Sequence, residues 1–220
     1  MPISLGPGEP EAGPWRVTPL VDLVRTLMIR PASPPSRPRI VAIDGRGAGG
    51  KTTLAERIRG AVAGAEVIHT DDIAWSHSRF GWDDLLLDGV LGPLHRGESV
   101  RFQPPAWARN GRAGHVTASG DAPLVIVEGV GASRRDFGPL IDAAVWLQSD
   151  MLEVERRRTA RDGDDADTTR RARDWMAEEV PFLARDRPWE RADVIVGSTK
   201  QLRYDVVCEV VVAPPISRSS

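Results

Sequence analysis

The chain has 220 residues, 41% of them apolar, enough to bury one sizeable core and to form a single α/β domain with local insertions. A formal net charge of −2 excludes a broad electrostatic pull toward nucleic acid or membranes and favours a small-molecule partner. One cysteine excludes an internal disulfide; with no apolar run long enough to span a bilayer and no basic-then-apolar leader pattern, a cytoplasmic location is expected.

In chain order, Met1 to Pro14 is rich in Pro and Gly and reads as loosely held. Thr18 to Ile29 has an amphipathic helical pattern with Thr18 as N-cap, and Pro31 to Pro38 reads as a stiff linker. Arg39 to Asp44 is an apolar run typical of a buried parallel strand. Leu54, Ile58, Ala61 and Val62 then mark a helix over Lys51 to Ala63. Further strands are expected at Glu66 to His69, Leu124 to Val127, Ala143 to Leu147 and Asp193 to Val196, with helical stretches between them. The alternation predicts a mostly parallel five-stranded sheet covered on both faces. Cys208, inside the apolar run Val206 to Val212, reads as a buried packing residue, and Pro214 to Ser220 as a frayed tail.

Between the first strand and its helix stands Gly45-Arg46-Gly47-Ala48-Gly49-Gly50-Lys51-Thr52, the G-x-x-x-x-G-K-[ST] pattern of a phosphate-binding loop. Lys51 is one of only two lysines among 29 basic residues. A compact ammonium follows a phosphate in transfer as a planar guanidinium does not, and the glycines let backbone N–H groups turn inward around an oxyanion. Gly45, Gly47, Ala48, Gly49, Gly50, Lys51, Thr52 and Thr53 are the expected nucleotide-binding residues, with Thr52 on Mg²⁺. Gly45, Gly47 and Gly50 also satisfy G-x-G-x-x-G, but a dinucleotide site does not call for Lys51-Thr52 directly after the third glycine. Asp136-Phe137-Gly138 lacks the other protein-kinase motifs. Lys200 is followed by Gln201 and Leu202, so the Asn-Lys-x-Asp of a guanine-specific switch is missing.

Ligands of parallel sheets bind beyond the carboxyl ends of the strands, so residues that follow strands carry most interest. Asp71, after the second strand, is the candidate base for an acceptor hydroxyl, with Asp72 in reserve and a helix cap as the structural alternative. Glu128 stands where a group holding Mg²⁺ opposite Thr52 is expected. Asp44 suits either a water-mediated metal contact or a loop brace. From Glu153 to Trp175, Arg156, Arg157, Arg158 and Arg161 precede an acidic turn and then Arg170, Arg171 and Arg173. Arg157 and Arg161, four apart, share a helical face, and Arg161 is the best single candidate for closing over phosphates. The alternative is a solvated hairpin whose arginines pair with the turn's aspartates.

The loop, Asp71-Asp72, Phe80-Gly81-Trp82-Asp83 before a leucine-rich helix, and Val127-Glu128-Gly129 together resemble, over about Arg39 to Ser198, the uridine kinase family of P-loop kinases. This group includes phosphoribulokinase and bacterial pantothenate kinase. The resemblance implies a P-loop NTPase fold, ATP and Mg²⁺, Lys51, Asp71 and Arg161 as catalytic residues, and an acceptor region from Trp75 to Ala118. It also implies a helical lid from Glu153 to Trp175 and a small-molecule acceptor, foremost a nucleoside. The family's acceptor-holding Tyr-Asp pair falls at Pro105 and Ala106, whose side chains accept no hydrogen bond. Trp75, Trp82 and Trp107 are candidates to stack on a base, and His77 lies where an acceptor passes. A kinase for another hydroxyl metabolite, an ATP-binding switch without transfer, and self-association all stay open.

Overall fold

The structure is a computed structural model that describes residues 3–29, 36–198 and 202–216. Most of the proline-rich linker (30–35), Lys200 and the end of the tail (217–220) lie outside the described residues. In chain order come β1 (Arg16–Pro19), α1 (Leu20–Met28), β2 (Arg39–Gly45), α2 (Lys51–Ala61), β3 (Glu66–His69) and α3 (Thr70–Ala74). Next, α4 (Asp83–Leu86) runs through a π turn (Leu87–Leu91) into α5 (Gly92–His95). A two-stranded ribbon of β4 (Val100–Phe102) and β5 (Val116–Ala118) follows, with α6 (Pro105–Arg109) between its strands. The chain continues through β6 (Leu124–Glu128), β7 (Ala143–Gln148), α7 (Met151–Asp162), α8 (Ala166–Asp186), β8 (Val194–Gly197) and β9 (Glu209–Ala213).

The main sheet has seven strands in the order β1-β9-β8-β7-β2-β6-β3. The five expected strands form its parallel part, β8-β7-β2-β6-β3. The expectation of five strands in all is corrected: β9 and β1 extend the sheet antiparallel at one side. Thr18 pairs with Val210 inside β1 and therefore caps nothing; α1 starts at Leu20 after Pro19, without a side-chain cap. Pro19 is tolerated there because β1 is an edge strand. Cys208 is exposed, in the turn before β9, and not buried.

Alternation along β2 explains the layers. Val41 and Ile43 pack with Leu23 and Leu27 of α1 and Leu54 and Ile58 of α2 on one face. Ile40 and Ala42 face the other way, toward Ile73, Trp82, Leu86 and Leu91 of the insertion. A third cluster, around Trp146, Trp189, Phe182 and Leu183, seats α8. The register places His69 opposite Glu128 and Glu128 opposite Ile43, so the carboxyl ends of β3 and β6 finish level while β2 runs on to Gly45.

Candidate active site

Asp44, at the end of β2, is fully buried and accepts four hydrogen bonds. Oδ1 receives the amides of Gly45 (2.7 Å) and Gly131 (2.9 Å); Oδ2 receives the amide (2.9 Å) and hydroxyl (2.8 Å) of Ser133. Of the two roles open in the sequence, the geometry is that of a brace, which ties the phosphate-loop pattern to the loop after β6. Burial pushes its carboxyl above the usual range against these donors. Asp44→Ala strands three buried amides and is expected to cost about 3 kcal/mol or more of stability, read by denaturant unfolding.

The loop itself turns through left-handed backbone at Ala48 (φ 57°) and Gly50 (φ 100°), the residue that precedes α2. Gly50 is the position where a side chain would be strained, and the handed alternation curls the amides into an anion nest. The Arg46 carbonyl accepts from the Gly49 amide at 3.0 Å and from Lys51 Nζ at 2.8 Å. The nest opens at the N-terminus of α2, where unpaired amides and the helix dipole favour anions.

Glu128 Oε1 receives Thr52 Oγ1 at 2.9 Å and stands 2.6 Å from His69 Nδ1. Burial pushes the Glu128 carboxyl up, but the His69 hydrogen bond, the Lys51 charge and the Thr52 hydrogen bond hold it below the usual range. The same hydrogen bond raises His69. His69 has no metal-ligand spacing in the sequence; its place beside Glu128 comes from strand register alone. Asp71 opens into the cavity from α3, and enclosure by the surrounding protein raises its carboxyl, with Lys51 pulling it back down. Asp72 turns away: its carboxylate accepts Arg112 Nη2 at 2.6 Å and its carbonyl accepts Trp107 Nε1 at 2.8 Å.

The helices α7 and α8 cover the loop. Arg157 donates to the carbonyls of Ser198 (2.7 Å) and Gly49 (3.4 Å), which docks α7 on the loop. Arg161 lines the cavity on the same helical face and forks onto Asp162 at 2.6 and 2.8 Å. From α8, Glu179 Oε1 accepts the Gly47 amide at 2.7 Å, and Trp175 lies over the same glycine. Arg79 of the insertion reaches α8 through Glu178 and the Asp174 carbonyl. Glu179 and Trp175 carry no motif that sequence reading could have found.

One cavity of about 1240 Å³ gathers Gly47 to Thr53, Asp71, Glu128 and Arg161; Gly45 is not among its lining residues, and its amide is spent on Asp44. A single-ligand pocket spans roughly 300–1,000 Å³, so two substrates have room. Trp175, His77 and Arg79 also line the cavity, whereas Trp82 at its edge is buried, with the Arg134 guanidinium 4.3 Å over its ring. Trp75, Trp107, Pro105 and Ala106 are not among its lining residues. Trp107 is buried with the Arg112 guanidinium 3.6 Å over its ring, and Trp75 flanks the same guanidinium at 5.2 Å. These two tryptophans are therefore engaged in packing the insertion.

No family model matches the chain, and no curated protein matches it. Solved structures do. A candidate fructose transport system kinase from Silicibacter aligns with a TM-score of 0.56 at 19% identity, over 79% of this chain and 95% of that one. A D-glycerate 3-kinase from Cryptococcus neoformans aligns at 0.55 and 14%, over 84% and 97%. A candidate uridine kinase from Bacillus stearothermophilus aligns at 0.50 and 21%, over 80% and 96%. At such identities the likeness is one of architecture, and it agrees with the parallel sheet, the loop between β2 and α2 and the flanking helices. The chain has the fold of the P-loop kinases, the architecture it shares with uridine kinase-like proteins.

Proposed function

We propose that the chain is an ATP- and Mg²⁺-dependent small-molecule kinase that moves the γ-phosphoryl group to an acceptor hydroxyl. The carrying observation is the meeting, in one cavity, of the anion nest with Lys51, the Thr52–Glu128 oxygen pair, and Asp71. The kinase names of the structural neighbours support the reaction class, and their differing acceptors leave the acceptor to be argued from the cavity.

In this reading the loop amides hold the phosphates, and Lys51 swings from the Arg46 carbonyl to the phosphoryl in transfer. Thr52 and Glu128 suit Mg²⁺, a hard ion that keeps waters and phosphate oxygens in its shell. Bound there, the ion would neutralise charge on the phosphate oxygens. Asp71 orients the acceptor hydroxyl and takes its proton, a role that suits the carboxylate open to the cavity better than Asp72, which is held by Arg112. Arg161 approaches the phosphates from α7 as that helix closes.

The acceptor is proposed to be uncharged, with hydroxyls and a planar or apolar face. Asp71 and Glu179 would repel an acid, Arg79 is already paired with Glu178, and Trp175 offers an aromatic wall. A nucleoside fits this description. Pro105 and Ala106 favour a second reading, a smaller hydroxyl metabolite, because the nucleoside-holding pair is missing and its place is off the cavity. An ADP-release screen over nucleosides, polyols and hydroxy acids tests both. Acceptor-stimulated turnover by a nucleoside or neutral polyol supports the proposal; nucleotide binding that no acceptor turns into ADP release overturns it in favour of a nucleotide-binding switch.

A further inference from the structure

The composition of the first fourteen residues predicts a loose segment, yet residues 4–12 are tied to the phosphate loop and to the base of α7. Glu9 Oε2 accepts Arg46 Nη2 at 2.8 Å, and both residues are almost wholly buried, at 7% and 3% exposure. Its other oxygen accepts Trp146 Nε1 at 2.8 Å and Gln148 Nε2 at 3.1 Å, both on β7. Gln148 also takes the Ala12 amide at 2.9 Å and donates to the Pro10 carbonyl at 2.9 Å. The Ser4 carbonyl accepts the Met151 amide at 2.8 Å, at the first turn of α7. Gly6 crosses the Arg46 guanidinium so closely that a Cβ there would come within 1.8 Å of Nη2.

We propose that Glu9 is a positioning residue for the phosphate loop, acting through Arg46, and that the strap carrying it is coupled to nucleotide occupancy of that loop. The inference rests on the nucleotide site proposed above. Arg46 is the second residue of the loop pattern, and its carbonyl organises the Gly49 amide and holds Lys51 Nζ. Glu9 is its one carboxylate partner among the described residues. Removal of that carboxylate leaves a buried cation uncompensated, and a buried charge without its partner moves toward water. Residue 46 then shifts, and with it the amide and ammonium that meet the phosphates. By reciprocity, a ligand that fixes the loop tightens the strap.

The test uses the full chain and a fluorescent N-methylanthraniloyl-ATP, with thermal midpoints measured in parallel. Glu9→Gln is expected to weaken analogue binding by about tenfold or more while the protein stays folded. The double variant Glu9→Gln/Arg46→Met, which buries no unpaired charge, recovers most of the loss. Gly6→Ala displaces the guanidinium without altering charge and is expected to weaken binding in the same direction. In the unaltered protein, saturating ATP slows proteolytic cleavage within residues 3–14, a readout that survives even if every variant unfolds. A folded Glu9→Gln protein with unchanged analogue affinity, or cleavage indifferent to ATP, overturns the inference alone. An unaltered protein that binds no analogue overturns both this inference and the kinase reading.

Discussion

Replacement of Lys51 by alanine is expected to lower phosphoryl transfer by about 10²-fold or more and to weaken nucleotide binding, with the fold intact. Lys51 is the first residue of α2, and its ammonium rests on the Arg46 carbonyl, which also accepts the Gly49 amide. Loss of the side chain therefore leaves no buried acceptor stranded, and the helix keeps a residue of high helical propensity. What disappears is a cation that reaches a transferring phosphate from a nest of otherwise neutral amides. Steady-state ADP release and analogue titration measure the effect, and circular dichroism checks the fold. Normal turnover in this variant contradicts the proposed function.

Asp71→Asn is expected to lower acceptor-dependent turnover by about 10²- to 10⁴-fold while leaving nucleotide binding near its original level. The separation follows from position: Asp71 belongs to α3, not to the loop. Although Asp71 is exposed toward the cavity, partial desolvation by the surrounding protein raises its carboxyl above the usual carboxylate range, with Lys51 opposing. A base must be deprotonated, so the acid limb of kcat/KM lies higher than for a free aspartate and vanishes in the variant. The stability effect has the opposite sense. A carboxyl whose folded pKa is raised stabilises the fold at low pH and loses that contribution as pH rises through the folded value. The neutral asparagine carries no such loss, so its thermal midpoint at neutral pH should equal or exceed that of the unaltered chain. A variant that loses turnover only because it unfolds would contradict this account.

The loop and its flanking elements were legible where physics acts locally. The phosphate loop needs contiguous glycines, a lysine and a hydroxyl, and its flanking strand and helix show as hydrophobic periodicities of two and 3.6. The five parallel strands read as apolar runs because both faces are covered. β1 did not, because a four-residue edge strand with exposed side chains carries no alternation. β9 hid inside the run that holds Cys208, whose apolar neighbours suggested burial that the exposed turn does not provide.

Eight consecutive residues thus carried the whole loop pattern, glycines, a cation and a hydroxyl, at the junction of a buried strand and a helix. Only the tertiary structure decided what surrounds it. His69 meets Glu128 through strand register, Glu179 reaches Gly47 across 132 positions, and Glu9 holds Arg46 across 37. Trp175 faces the cavity, while Trp82 packs under Arg134 and Trp75 and Trp107 pack around Arg112. Local chemistry leaves a pattern in consecutive residues because the chain itself holds those groups together. Contacts between distant residues leave none, since they depend on how sheet, lid and strap pack, which only the folded chain specifies.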